Sequence, residues 1–392
     1  MQRIVFHIGD KKTGTSSIQQ ALVRETWHCD AVRLFYPVDT ERPHHHGLAS
    51  AFVKGWREKI ETRFAKLAGM IREEGANADV VVISSELFQG VAPEALHAAI
   101  ARHLPEHAAT IEILAYARPH AQRLLSSYAQ VIKLGHFTGT LEQYFEKTRA
   151  SDRFQMAERF LQWREVFGPR FTLRPLWRAK LHHGDAVADF FHHVLGGARF
   201  TLEPIPTANE SLSLADLALL RRFHKLLSRQ HAALDDTPHK AALAGARKRI
   251  GARLGEHLAA SAPPREVEKL RLHRALAHRI ETVYSEDAAR CDTEFFSGST
   301  PMQDGLRKAA EGAMERPQSL ALKDHFPPAI RRQIPVWAAL IGEMTQHAPT
   351  GWSGHFQKLL NHGFRGLSEP VVTQTHQAPV GGAFGSSGPT PD

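Results

Sequence analysis

The sequence predicts an α/β fold in which a central parallel sheet is flanked by helices and followed by a mainly helical C-terminal part. Over about the first 200 residues, short apolar runs alternate with amphipathic stretches, a pattern typical of parallel α/β structure. After Leu212, apolar residues recur at helical spacing in one segment after another. A chain of 392 residues is long enough to bury a full core.

Five apolar runs predict the strands: Arg3–Ile8, Val32–Tyr36, Asp79–Ser84, Ile111–Ala117 and Phe171–Pro175. The amphipathic segments between them predict helices: Thr15–Trp27, Gly47–Met70, Pro93–His103, Pro119–Leu134, Leu141–Glu146, Met156–Val166 and Ala186–Leu195. The first helix begins with the hydroxyl residues Thr15 and Ser16, which suit an N-terminus where backbone amides lack acceptors. Its residues Ile18, Ala21 and Leu22 supply the buried face.

The remainder of the chain divides by composition. We expect residues 1–212 to form the α/β core, residues 213–300 a basic helical continuation and residues 301–368 a helical extension. Within these, Ser213–Gln230 and Val267–Val283 have helical patterns, and we expect the prolines at 327, 328 and 335 to punctuate short helices. Residues 369–392 contain four Pro, four Gly and no Lys or Arg, which predicts a disordered tail.

The charge balance suggests an anionic partner. The chain has 49 Lys and Arg against 41 Asp and Glu, a formal net charge of +8. Residues 221–274 hold 13 basic and 5 acidic residues, so the excess of 8 lies there and the rest of the chain is neutral in sum. This region is either a solvated helical face or a surface that attracts anions. No zinc-finger or RNP pattern accompanies it, so no specific nucleic-acid partner is predicted.

Cysteine usage and hydropathy predict a cytoplasmic protein without a membrane span. Cys29 and Cys291 are the only cysteines, too few for a disulfide framework or a cysteine-based zinc site. The N-terminus starts as a strand and shows no apolar signal segment. The mean hydropathy is −0.32, and the longest apolar runs, such as Val80–Ile83, are far shorter than a membrane span. The 25 histidines are scattered, and no metal site is predicted.

The most informative segment follows the first strand and begins the first helix. Its residues, from 8 to 17, are Ile-Gly-Asp-Lys-Lys-Thr-Gly-Thr-Ser-Ser. A strand–loop–helix of this kind directs backbone amides and the positive end of a helix dipole at one point, which favours an anion. Gly14 permits the turn and the hydroxyls can add hydrogen bonds. The alternative is a strand–turn–helix connection that binds nothing.

The spacing of Gly9 and Gly14 matches the start of the P-loop motif, so the fold is predicted to be P-loop-like. In that motif a lysine follows the second glycine and reaches the β- and γ-phosphates. Here Thr15 follows Gly14, and the available lysine, Lys12, precedes it by two residues. A nucleoside-triphosphate-hydrolysing or kinase-like enzyme is therefore an alternative with its key lysine missing.

The loop resembles the 5′-phosphosulfate loop of sulfotransferases that use 3′-phosphoadenosine-5′-phosphosulfate (PAPS). That loop reads P-K-[ST]-G-T-[TS], and the matching residues here are Lys12, Thr13, Gly14, Thr15 and Ser16. Lys11 replaces the family's proline and adds charge where phosphate would bind. The resemblance extends over roughly residues 3–300. It implies that this loop, including Lys11, binds PAPS and its product adenosine 3′,5′-bisphosphate.

A second match lies about a hundred residues further along the chain. In the family, an arginine leaving a strand and a serine eight positions later on the next helix bind the 3′-phosphate. Arg118 and Ser126 have this spacing. Pro119 suits the first turn of the helix, and an arginine offers two parallel donors to a phosphate. Taken alone, this segment would be an ordinary strand–helix junction with a surface arginine.

The resemblance implies sulfuryl transfer with Lys12 at the bridging oxygen or the 5′-phosphate, and no metal requirement. A general base should accept the proton of the acceptor hydroxyl. Glu86 is the first choice, because it lies just past an apolar strand, at the edge of the sheet where ligands bind. His45 and His46, in a run of three histidines, are the alternative.

We therefore expect a PAPS-dependent sulfotransferase that acts on a hydroxyl of a carbohydrate or other glycan-like acceptor. Two alternatives remain at this stage. One is a P-loop nucleotide kinase-like enzyme, and the other is a non-enzymatic nucleotide- or polyanion-binding protein.

Overall fold

A five-stranded parallel sheet organises the chain. The computed structural model describes residues 2–39, 42–204, 212–232, 237–261 and 267–366. The strands are β1 (Arg3–Gly9), β2 (Trp27–His28), β3 (Leu34–Phe35), β4 (Val80–Ser84), β5 (Glu112–Ala117), β6 (Phe171–Pro175) and β7 (Thr201–Leu202). The main sheet has the order β3-β4-β1-β5-β6 with every neighbouring pair parallel. The predicted α/β architecture, with helices around this sheet and a mainly helical C-terminal part, is confirmed.

The helices before residue 200 are α1 (Thr15–Arg24), α2 (His46–Val53), α3 (Arg57–Glu73), α4 (Pro93–His103), α5 (His120–Lys133), α6 (Leu141–Arg149), α7 (Ala157–Phe167) and α8 (Ala186–Val194). Those after it are α9 (Leu214–Ala232), α10 (Thr237–Ala260), α11 (Arg274–Phe295), α12 (Pro301–Glu311), α13 (Pro328–His347) and α14 (Pro349–Arg365). A short 3₁₀ turn, Glu86–Gly90, follows β4. None of the helices in the described ranges is both long and apolar enough to cross a membrane.

The central strand β1 is buried on both faces, as a parallel sheet covered by helices requires. Its side chains alternate between two cores. Phe6 lies in the larger core, with residues of α2 to α5, α7 and α11. Val5 lies in the smaller core, which α1 and α8 cover. This alternation explains why the strand reads as a continuous apolar run in the sequence.

Several predicted elements differ from the structure. The helix expected over Thr15–Trp27 ends at Arg24, and Trp27 lies in strand β2. The helix expected over Gly47–Met70 is two helices, because Gly55, in the left-handed region at φ = +65°, ends α2. Pro335 does not end a helix but lies inside α13, where its ring is exposed to solvent. The helix expected over Val267–Val283 begins only at Arg274.

The late start of α11 has a tertiary cause. Residues before it run beside the segment that follows α12, and the Met314 amide donates to the Leu272 carbonyl at 2.9 Å. The Arg274 amide donates to the Met314 carbonyl at 2.8 Å. Backbone groups bonded to a distant segment cannot also make helical bonds, so the helical pattern of 267–273 is overridden.

A small antiparallel sheet was not predicted. β2 pairs with β7, with Trp27 opposite Leu202. Two-residue strands leave no detectable alternation in a sequence. The predicted disordered tail, residues 369–392, lies outside the described residues.

The helices after residue 212 pack on the α/β part at α5, at α7 and at α1. The face of α10 that carries Gly251 and Gly255 lies against the end of α5, where a Cβ on Gly251 would meet the Lys133 carbonyl oxygen at 2.2 Å. A further apolar cluster joins α9, α10 and α13 and contains Phe223, Leu227, Ile250 and Ala338.

Asp287 of α11 joins two helices of the α/β part. Its buried carboxylate accepts the amides of Met156 and Ala157 at the start of α7, at distances of 3.0–3.1 Å. It also pairs with Nε2 of His120, the first residue of α5, at 2.8 Å. Burial opposes the charged carboxylate, but the His120 hydrogen bond and charge prevail and lower the pKa of Asp287.

We predict that Asp287→Ala lowers the free energy of unfolding by about 3 kcal/mol, because it leaves buried donors on two helices without an acceptor. Glu158→Ala is the matched control, since Glu158 makes an exposed ion pair with Arg290 of the same helix α11. The control should lose less than about 1 kcal/mol. Denaturant unfolding measures both, and equal losses would contradict a joining role for Asp287.

Candidate functional site

The connections of the sheet create a crevice between β1 and β5. The chain leaving β1 goes to β3 on one side of the sheet, whereas the chain leaving β5 goes to β6 on the other. Adjacent parallel strands whose connections diverge leave a cleft at their carboxyl ends, where ligands bind in open α/β sheets. The 10–14 loop follows β1 and Arg118 follows β5, so the topology brings both predicted motifs to this cleft.

The loop after β1 presents a row of backbone amides without partners. Gly9, Lys12 and Gly14 have positive φ angles of +94°, +69° and +87°. In the described part of the chain, no hydrogen bond is donated by the amides of residues 12–16. Gly14 is the N-cap of α1 and supplies no capping side chain. Consecutive free amides at a helix N-terminus form an anion-binding concavity.

A buried carboxylate, Asp10, fixes the loop to helices α5 and α7. Asp10 is fully buried and pairs with Nη2 of Arg123 on α5 and with Nη2 of Arg159 on α7, each at 2.8 Å. Its carboxylate also accepts the Lys11 amide at 2.6 Å, and its carbonyl accepts the Thr13 hydroxyl at 2.5 Å. The two guanidinium groups compensate the negative charge, so Asp10 shapes the loop without repelling an anion above it.

Lys12 and Arg118 are in direct contact across the cleft. Nη1 of Arg118 donates to the Lys12 carbonyl at 2.9 Å, and Nζ of Lys12 donates to Oε1 of Gln130 at 3.3 Å. Burial, with the charges of Arg118 and Lys133, lowers the pKa of Lys12 to about 8. Burial also lowers the pKa of Arg118, and its Nε has no partner among the described residues. The cleft therefore gathers positive charge that nothing on the described chain neutralises fully.

Ser126 lies on the helix that Lys12 contacts. It stands four residues before Gln130 on α5, and residues at this spacing share one helical face. Ser126 is half-buried, and within the described ranges its hydroxyl makes no hydrogen bond. Arg118 thus lies beside the predicted loop, and Ser126 lies on the face of α5 that Lys12 contacts.

Glu86 lies against the start of the loop. A Cβ on Gly9 would come within 2.9 Å of both Cα and Cβ of Glu86, so only glycine fits there. Oε1 of Glu86 is 3.3 Å from Nε2 of His46, and Oε2 is buried without a partner in the described chain. Burial would raise the pKa of Glu86, but the hydrogen bond and charge of His46 outweigh it and lower the pKa to about 2. Glu86 is therefore ionised at working pH, with one oxygen free.

The three histidines have different surroundings. His45 is buried and bonded at both ring nitrogens, since Nδ1 accepts the Ser84 amide at 3.1 Å and Nε2 donates to the Pro37 carbonyl at 2.9 Å. Burial lowers the pKa of His45 to about 4, so the ring is neutral. Both ring nitrogens are used in structural hydrogen bonds, so neither is available as a base. His44 stacks on His46 with ring centroids 3.6 Å apart. Nδ1 of His46 is 3.0 Å from Oγ of Ser85.

The other predicted donor-binding residues lie on the loop and in the first turn of α1. Lys11 is half-buried, and burial together with Arg153 lowers its pKa. Thr15 is buried with an unpartnered hydroxyl among the described residues, whereas the side chain of Ser16 is exposed. The hydroxyl of Thr13 is used within the loop.

Sequence reasoning missed Asp10, with its partners Arg123 and Arg159, and missed Gln130. An acidic residue inside a cationic loop could have indicated a buried ion pair, since a buried carboxylate needs a cationic partner. The identity of that cation depends on how α5 and α7 pack, which no local pattern reveals.

Comparison with protein-family models, with curated proteins and with solved structures finds no match. Within the described ranges, no group of three or more His, Cys, Asp or Glu is placed to hold a metal ion. The function must therefore be inferred from the residues of the cleft and their geometry.

We predict that Gly9→Ala lowers the free energy of unfolding by about 2–4 kcal/mol. About 1 kcal/mol reflects an alanine at positive φ, and the remainder reflects overlap with Glu86. Gly55→Ala is the matched control, because Gly55 has φ = +65° and no atom within 4 Å of a new Cβ. The control should lose only about 1 kcal/mol. If denaturant unfolding gives equal losses, Glu86 does not press on the loop.

Proposed function

We propose that the protein is a sulfotransferase that moves a sulfuryl group from PAPS to a hydroxyl of a carbohydrate or glycan-like acceptor. The observation that carries the proposal is the 2.9 Å contact between Arg118 and Lys12, residues 106 positions apart. A donor with phosphates on both its 5′ and 3′ oxygens needs two adjoining anion sites. The loop is one such anion site, and the face that carries Arg118 and Ser126 is the other.

In this proposal the donor spans both sites. The cleft is P-loop-like because backbone amides of a loop before a helix bind the phosphate. The free amides of residues 12–16 receive the 5′-phosphosulfate, with Lys11 and Lys12 adding charge. The 3′-phosphate lies against Arg118 and Ser126, where Nε of Arg118 and the Ser126 hydroxyl are unpartnered within the described residues. Arginine and hydroxyl donors together suit a dianionic phosphate.

The transfer is an in-line displacement. The acceptor oxygen forms a bond to sulfur while the bond from sulfur to the 5′-phosphate oxygen breaks, which releases adenosine 3′,5′-bisphosphate. Negative charge grows on the leaving phosphate, and preorganised donors stabilise it there. Lys12 and the loop amides provide this positive charge, so the proposed mechanism requires no metal ion.

Glu86 takes the proton of the acceptor hydroxyl. Oε1 is held by His46, which leaves the unpartnered Oε2 to accept. A carboxylate with a pKa of about 2 is a weak base in the free protein. A bound donor adds negative charge beside Glu86, and like charge raises a carboxyl pKa. His46 thus acts as a positioning residue, and donor binding strengthens the base.

A thermal-shift panel tests the proposal with adenosine 3′,5′-bisphosphate, AMP and ATP–Mg²⁺. A ligand at a hundredfold excess over its Kd stabilises the folded state by about 2.7 kcal/mol. The bisphosphate should raise the melting temperature most. A shift with ATP–Mg²⁺ and none with the bisphosphate would favour a kinase-like enzyme and contradict the proposal.

Removing the 3′-phosphate contacts should weaken the bisphosphate selectively. We expect Arg118→Ala to reduce its affinity about ten- to hundredfold, since a charge-assisted hydrogen bond contributes about 1.5–3 kcal/mol. Arg118 also holds the Lys12 carbonyl, so Ser126→Ala serves as the variant that leaves the loop intact. It should cost the bisphosphate about fivefold and leave AMP unchanged in calorimetry. Equal losses of both ligands in Ser126→Ala would show that this face does not read the 3′-phosphate.

Donor affinity should depend on the protonation of Lys12. Its pKa of about 8 means that the ammonium is charged below pH 8 and is lost above it. Because an anion favours the ammonium, the bisphosphate affinity should fall by up to about tenfold per pH unit above pH 8. Lys12→Arg keeps its charge, so it should bind without this decline, whereas Lys12→Met should bind more weakly at pH 7. A decline that persists unchanged in Lys12→Arg would assign it to another group.

Glu86→Gln should separate chemistry from binding. The substitution keeps the shape and removes the base, so turnover should fall about 10²–10⁴-fold. Donor affinity should stay the same or become tighter, because the amide no longer repels the bound anion. Transfer of labelled sulfate from PAPS to a panel of saccharides measures turnover. Glu106→Gln is the control, because Glu106 lies in another short turn, on the surface, paired with Arg72. Full activity of Glu86→Gln, with loss in a His46 variant, would move the base to His46.

A further inference from the structure

A second group of cations lines a cavity away from the cleft. The cavity measures about 360 Å³ and lies between α9, the segment 320–323 and the start of α13. Its cationic lining residues are Arg221, Arg222, Lys225, Lys323 and Arg331. The other lining residues are apolar. None of these residues belongs to the loop, to β5 or to α5, so the cavity is a separate site.

The charge of this cavity is uncompensated. Neither Asp nor Glu lines it, and in the part of the chain that the structure describes none of the five cations forms an ion pair. Arginines elsewhere do pair with carboxylates, for example Arg3 with Glu112 at 2.8 Å and Arg174 with Asp189 at 2.5 Å. Gathering five like charges without a counter-charge destabilises the folded chain unless an anion binds.

One of the arginines, Arg221, is fixed before any ligand arrives. Nε of Arg221 donates to the Thr138 carbonyl at 2.8 Å, and its Nη1 donates to the Leu320 carbonyl at 3.2 Å. Nε of Arg331 is buried without a partner among the described residues. The nearby carboxylate of Asp324 is turned to its own segment, where it accepts the Ser319 hydroxyl at 2.5 Å. The cavity is therefore held in shape with donors left over.

The fold, rather than the sequence, assembles this group. The basic region 221–274 contributes only Arg221, Arg222 and Lys225, and the other two cations come from about a hundred residues further on. A solvated helical face would not recruit Lys323 and Arg331 from a different segment. This arrangement favours a specific site over a diffuse basic surface.

We propose that the cavity binds a small ligand that carries two or more phosphate or sulfate groups close together. The volume is in the range of small-ligand sites, which favours a compact ligand over a long polymer. Arginines bind phosphate and sulfate oxygens with two parallel donors, and several such groups are needed to neutralise five cations. The proposal is independent of the sulfotransferase assignment.

Calorimetry at physiological ionic strength tests it with two probes, inorganic tripolyphosphate and a trisulfated disaccharide, which distinguish phosphate from sulfate as the preferred group. The titrations use a Lys12→Met/Arg118→Ala background, which weakens anion binding at the loop. We expect one of the probes to bind with a stoichiometry of one.

The test variant is Arg222→Gln/Lys225→Gln, and the matched control is Arg229→Gln/Lys240→Gln. Each variant removes two positive charges: the test variant removes both from α9, and the control removes one from α9 and one from α10. Arg229 and Lys240 are exposed and do not line the cavity. The test variant should bind the probe at least about tenfold more weakly, and the control should stay within about twofold. Lys323→Gln, an exposed change on a different segment, should also weaken binding and does not depend on α9 folding.

Selective loss in the test variant and in Lys323→Gln supports the site. Equal weakening in the test and control variants would show that the basic region acts only through its general field, and the proposal would be wrong. Failure of both probes to bind the background protein would overturn it as well.

Discussion

The cleft depends on the ion pairs that the buried Asp10 carboxylate makes with two arginines. This carboxylate sits at the end of the central strand and binds guanidinium groups from two helices, Arg123 of α5 and Arg159 of α7. Removing one partner of a buried pair leaves an uncompensated charge and costs about 3–5 kcal/mol. The pair therefore fixes the loop relative to α5, and α5 is the helix that carries Ser126 and follows Arg118.

The free cleft is electrostatically incomplete. Lys12 has a pKa of about 8 in the folded chain against 10.5 normally, so the unfolded chain binds more protons between these values. Stability from this group consequently rises as pH increases from about 8 to 10.5, and below pH 8 the charged ammonium opposes folding. A bound anion removes that penalty. The folded chain is therefore less stable when the site is empty, because Lys12 is already held where an anion would bind. This destabilisation couples the loop to its proposed donor.

Local patterns predicted the parts of the fold that local interactions determine. The bounds of α4 and β6 match the prediction, because proline, apolar runs and strand ends mark them in the sequence. The loop and Arg118 were predicted as separate motifs, and the divergent connections of the sheet bring them together. Parallel-sheet topology makes that meeting a reasonable inference from the sequence.

Long-range contacts determine what the sequence did not reveal. His45 was considered a base, yet its ring bonds to Ser84 and Pro37 and supports the scaffold. The partners of Asp10 and the cavity cations Lys323 and Arg331 come from segments that are distant in the sequence, and no periodicity encodes how those segments pack. Pro335 lies within a helix, on the side that is exposed to solvent, and which side is exposed depends on the orientation of α13.

A crystal structure of the protein with adenosine 3′,5′-bisphosphate tests the central claim most directly. We predict the 5′-phosphate within hydrogen-bond distance of the amides of residues 12–16, and the 3′-phosphate against Arg118 and Ser126. A bisphosphate bound elsewhere, or bound at the loop with its 3′-phosphate pointing away from Arg118, would contradict the account.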